Sequence, residues 1–297
     1  MTPQSTPAGA GAALGATALA GALFALAGAL FALAQVALAE LLGVSTLGAE
    51  FSAGNERVQG VQVTLVAWYC AVAVPLAVTA VAVRWTHGAA DRLAAAFAAA
   101  VGAVAVLPLV MHRSAVAIQR DMGYAVVAGV LLGLASAVVV AMVPVIGRGI
   151  AAHTTLWWLM VVLATILMPR TAAYPGIVEL LEVDSIRAWL LPVLPSGRIL
   201  SYHLPYMLPS ALATVALSGV LAAVVVRRIG SWSRAIATGT AGPVLAVAAY
   251  LPDTDQLYLW NGEAVVIAAV IAAVALLAAI LTVSVMRSWL RHSPPIR

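Results

Sequence analysis

The chain has no lysine and little charge of any kind. Of its 297 residues 9% are charged, and all fifteen basic residues are Arg. Set against 64% apolar residues and a mean hydropathy of +1.06, that is too little charge to cover a water-facing surface, which excludes an ordinary soluble domain. A net charge of +4 and a pI near 9.6 would suit a nucleic-acid partner only if the arginines formed a patch. They are scattered through loops instead, so no nucleic-acid partner is expected. Cys70 is the only cysteine, which rules out an intrachain disulfide and a cysteine-based zinc site. Its place in an apolar run beside Trp68 and Tyr69 marks a buried, inert thiol.

Catalytic signatures are missing too. There is no HExxH, no GxSxG and no Walker A segment, and no pair of aspartates within an apolar run. Asp253-Thr254-Asp255 places two acids on a short loop, a very weak metal signal. The reading is therefore of a chain that is not an enzyme, with no catalytic residue, metal or cofactor.

What is present is a succession of long apolar runs. Those at 12–42, 60–84, 92–111, 123–147, 150–168, 205–226, 235–252 and 263–287 are close to or longer than the roughly 20 residues that a helix needs to cross a hydrocarbon core. They are continuous and rich in Ala, Val and Leu, whereas a barrel would show short alternating strands. The expected fold is all-α: a polytopic transmembrane helix bundle of about eight spans forming one integral membrane domain over 1–297, with the lipid bilayer as its main partner. The first run is too long for a signal-peptide core and lacks a basic leader, so it is read as a retained span. Ala37-Leu38-Ala39 does resemble a cleavage site, which would remove residues 1–39.

Alternating spans with the N-terminus inside place nine Arg on the inner side with Asp91 as the only acid. The other six Arg and ten acids then fall outside. Because basic residues set orientation, both termini are expected in the cytoplasm of a cell-membrane protein. Trp85, Trp232 and Trp289 flank inner ends, and Tyr124, Tyr250 and Trp260 outer ends, as amphipathic rings prefer. The long connection 169–204 carries four prolines and reads as an outer interfacial loop, either a lid or a structural seal.

Two patterns bear on architecture. The halves 1–147 and 148–297 share a layout, with Asp91-Arg92 matching Ser233-Arg234 before the third and seventh spans, and Met122–Val127 resembling Asn261–Val266. Two parallel four-helix repeats would follow; coincidental Ala/Val composition is the competing reading. The segment Ala20–Leu26 is repeated at Ala27–Leu33, which places Gly21 and Gly28 on one face. Gly11 and Gly15, like Gly129 and Gly133, have GxxxG spacing. All six are candidate helix-packing positions, within the bundle or along a homodimer seam.

Candidate ligand contacts are few. Gln35 is the deepest strongly polar side chain of the first run, and Thr238 and Thr240 flank Gly239 ahead of Gly242-Pro243, where a proline frees backbone carbonyls. These three are speculative pore or substrate contacts. His153 opens the fifth run and reads as a solvated or capping residue at the inner surface. His112-Arg113 and Arg120-Asp121 are expected to join Glu56 or the acids of 179–184 in a solvated outer network. Together these features suggest a structural or partner-binding membrane component, associating with another membrane protein or with itself. The alternative is a transporter or permease subunit for an apolar or lipid-like solute.

Overall fold

The structure, a computed structural model, describes residues 8–45, 47, 56–82, 88–114, 119–167, 204–251 and 261–292. The loop 169–203 and the Asp253–Asp255 segment lie outside the described residues, so the lid reading of that connection lies outside them too. Among the described residues there are nine α-helices and no strand. They are α1 (Ala8–Leu41), α2 (Glu56–Ala77), α3 (Ala89–Ala103), α4 (Val106–Arg113), α5 (Gln119–Met142), α6 (Pro144–Leu167), α7 (Leu204–Ile229), α8 (Trp232–Ala248) and α9 (Asn261–His292). The molecule is an all-α polytopic helix bundle. Seven of its helical segments are long and apolar enough to cross a membrane, with α3 and α4 counting as one. The seventh expected span is α8, whose 17 residues rise about 26 Å, slightly less than a hydrocarbon core of about 30 Å.

Proline explains most departures from plain helix. Pro108 lacks an N–H and its ring conflicts with the carbonyl four residues back, and the chain breaks at that carbonyl, between α3 and α4 at Val104-Ala105. Pro75 is followed by a π-helical turn, Val78–Ala82, and the Thr79 hydroxyl donates to the Pro75 carbonyl at 2.7 Å. Pro144 does the opposite. At the first position of a helix its missing N–H costs nothing and its fixed φ is already helical. Only Val143 separates α5 from α6. The fifth span therefore begins at 144 instead of 150, and Arg148 stands on the helix, not in a loop.

Packing reveals the threading. Gly129 and Gly133 of α5 lie against Ala67 and Ala71 of α2, so these helices run the same way. Gly147 of α6 lies against Thr79 and Trp157 against Trp68, so α6 runs back antiparallel to α2. The most extensive contacts in the first half are α2 with α5 and α1 with α3. In the second half they are α7 with α9, and α8 with α6, α7 and α9. Gly28 sits on the Ala99 backbone, and Gly102 sits reciprocally on that of Ala25. Without a hydrophobic drive between helices in lipid, such backbone approach carries the packing.

Every residue of α2 from 62 to 75 is buried, so this helix forms the centre of the first half. The outer helices are apolar on their exposed faces. On α1, Leu19, Leu23, Leu26 and Leu30 are exposed, while Phe24, Ala32, Val36 and Ala39 are buried. On α9, Val270, Val274, Leu277, Leu281 and Val285 face outward, while Ala275, Ala279 and Val283 face inward. Outward faces that are apolar throughout suit lipid as the surrounding medium.

Candidate functional site

The structure places His153 differently from the sequence reading. It lies nine residues into α6, about 13 Å from the helix start, and is buried at 8% exposure. It is a buried residue within a helix, not a solvated or capping one at a helix end. The expectation failed because Gly147, Arg148 and Gly149 resemble a loop, although Pro144 is a helix-start signal.

Its surroundings follow from Pro243. A proline has no N–H, so the carbonyl four residues back, Gly239, loses its helical donor. His153 Nε2 lies 3.0 Å from that Gly239 oxygen. The Ser218 hydroxyl of α7 lies 3.5 Å from the same Nε2 and donates to the Thr214 carbonyl at 2.8 Å. With its proton engaged there, Ser218 can only accept from the ring. Both neighbours therefore require the tautomer that carries hydrogen on Nε2. The imidazole joins three helices through one N–H.

Glycine makes room for this arrangement. A Cβ on Gly242 would overlap the His153 ring, one on Gly149 would overlap the Thr238 carbonyl, and one on Gly239 would come within 2.6 Å of the Ser218 carbonyl. Sequence spacing missed these three positions because the glycines pair across helices, not along one. Thr238 and Thr240 are buried in the same seam, but their hydroxyls donate to Arg234 and Ile236 of their own helix at 2.7 and 2.9 Å.

Gln35 belongs to a second polar site. Its amide donates to the Phe31 carbonyl at 3.2 Å and to the Tyr69 carbonyl at 3.1 Å, while the Trp158 indole N–H donates to its side-chain oxygen at 3.5 Å. Four rings fill the space around it. Tyr69 stacks on Trp158 with centroids 5.9 Å apart, and Trp68 meets Trp157 at 4.3 Å. These contacts tie α1 and α2 to α6. No hydrogen bond among the described residues links Gln35 with Thr238 or Thr240.

The glycine candidates separate as well. Gly28, Gly129 and Gly133 are intramolecular packing positions, whereas a Cβ on Gly21 would meet nothing. Gly11 and Gly15 lie in α1, ahead of the residues whose side-chain surroundings are described. Arg113 pairs with Glu40 at 3.3 Å, and Arg120 donates to the Tyr124 hydroxyl at 3.1 Å; the Glu56 side chain and the acids of 179–184 lie outside the described residues. Tyr250 stands just past the end of α8 and is buried. Among the described residues no group of three His, Cys, Asp or Glu could hold a metal.

These features define the class as an all-α polytopic bundle whose buried polar side chains are mostly hydrogen-bonded within the protein, with the hydroxyls of Thr64, Tyr69 and Tyr250 unpartnered among the described residues. No protein-family model, curated protein or solved structure matches the chain.

Proposed function

We propose that the protein is a non-catalytic, multi-pass component of the cell membrane with a structural or partner-binding role. Both termini lie in the cytoplasm, and the association is with another membrane protein or a second copy. The observation that carries this reading is how the deep polar groups are used. Gln35, Thr238 and Thr240, the sequence candidates for ligand contact, spend their hydrogen bonds on the protein's own backbone and on Trp158. The encased α2 also supports a solid centre in the first half. The recurrence of packing between alternate helices, α1 with α3 and α6 with α8, supports the four-plus-four repeat.

A second reading, a transporter or permease subunit for an apolar or lipid-like solute, draws on the break at Pro243. There a carbonyl is held by a side chain from another helix, and such a contact can be exchanged for a ligand. Thiol access decides between the two. In a Cys70→Ala background, single cysteines at Thr238 and Gln35 should resist small methanethiosulfonate reagents until the protein is denatured. Rapid modification of both in membranes would establish a water-filled path and favour transport.

A further inference from the structure

The basic end of the second half carries a feature that helix packing does not use. Arg227 and Arg228 fill the last turn of α7, Gly230 in the left-handed conformation and Ser231 reverse the chain, and Arg234 stands in the first turn of α8. Arg287, near the end of α9, lies over the Trp232 ring at 4.0 Å, which brings the third helix to the same place. Trp232 packs on the small core formed by Ala222, Val225, Val226, Ala235, Ala279 and Val283, so the group has a firm base. All four guanidiniums belong to exposed residues, and among the described residues none is paired with a carboxylate. Four like charges held at one end of three packed helices repel one another until an anion joins them.

From this geometry we infer that Arg227, Arg228, Arg234 and Arg287 form a binding site for the phosphodiester headgroup of an anionic phospholipid. The inference rests on the membrane-spanning reading but not on the non-catalytic role. A lipid suits the site better than free phosphate because the surface next to the arginines is apolar. Val220 and Val224 of α7, one to two turns before Arg227 and Arg228 and on the same helix face, are exposed. An amphiphile would satisfy both zones, with its phosphate among the guanidiniums and its acyl chains along the valines. The Trp232 ring beneath Arg287 keeps that side chain at headgroup depth. Basic clusters at the inner ends of spans attract anionic leaflets on the same physical grounds.

Native mass spectrometry of the full chain, released from nanodiscs of equal phosphatidylglycerol and phosphatidylcholine, tests the site. Retained phosphatidylglycerol should exceed phosphatidylcholine roughly ten-fold, as expected for several guanidiniums acting together. The R227Q/R228Q/R234Q/R287Q variant should lose that preference while keeping its helical circular dichroism. The corresponding four-lysine variant should retain most of it. Three results would overturn the inference: no preference in the native chain, an equal loss in an R113Q/R120Q control, or displacement of the lipid by millimolar inorganic phosphate. The last would assign the site to a free anion. The thiol-access experiment concerns Gln35 and Thr238 instead, so either proposal can fail without the other.

Discussion

A single missing hydrogen organises the middle of the second half. Pro243 leaves the Gly239 carbonyl without a helical donor, and His153 supplies one from α6 at 3.0 Å. His153→Ala should therefore destabilise the protein by about 1–3 kcal/mol, the cost of an unsatisfied buried acceptor. In a Pro243→Ala background the same substitution should cost less, because the restored amide at 243 satisfies the carbonyl. A double-mutant cycle in a denaturant titration should read a coupling of about 0.5–3 kcal/mol, and strict additivity would show that the contact carries no weight. Glycine supplies the companion test. Gly242→Ala drives a methyl into the His153 ring and should cost about 1–3 kcal/mol by overpacking. Gly21→Ala adds a methyl in open space and should change stability by less than about 0.5 kcal/mol. Sequence spacing alone placed Gly21 and Gly28 together. Only the approach of Ala99 distinguishes them.

At the scale of the helix, the pairing of α2 with α5 shows what was readable and what was not. The GxxxG spacing of Gly129 and Gly133 announced a close partner but not its identity. The structure supplies the backbone of Ala67, Cys70 and Ala71, including the Ala71 carbonyl whose donor Pro75 removes. Replacing both glycines with Ile should push α5 off α2 and abolish the monodisperse peak in size-exclusion chromatography. The same pair of substitutions at Leu131 and Val127, which are exposed, should leave the peak in place. Element ends were less legible than element identity. Apolar length located every rod, but Pro144 begins a helix while Pro108 breaks one. The difference lies in whether a carbonyl already stands four residues back within the same helix.

For the whole molecule, the register of α2, α5 and α6 gives alternate directions to successive crossings, and the Arg-rich ends set the expected orientation. In a Cys70→Ala background, a cysteine replacing Asp255 should react with an impermeant maleimide from outside intact cells. Reaction only after lysis would invert the orientation. Cys70 itself, fully buried between α2 and α5, should stay unlabelled until the bundle is denatured. The exposed leucines of α1 and valines of α9 form an apolar outer wall that suits lipid as its surroundings.

Composition and the lengths of the apolar runs were sufficient to determine an all-α bundle of about eight rods, because uncovered backbone in hydrocarbon leaves a chain only helices or a closed barrel. Which polar groups meet was decided by the tertiary structure alone. Periodicity describes one helix at a time, whereas the union of His153 with Gly239, Gln35 with Tyr69, and Trp232 with Arg287 depends on how helices far apart in sequence cross. Those crossings are set by backbone approach at glycines such as Gly102, Gly149 and Gly242, whose partners no local pattern names.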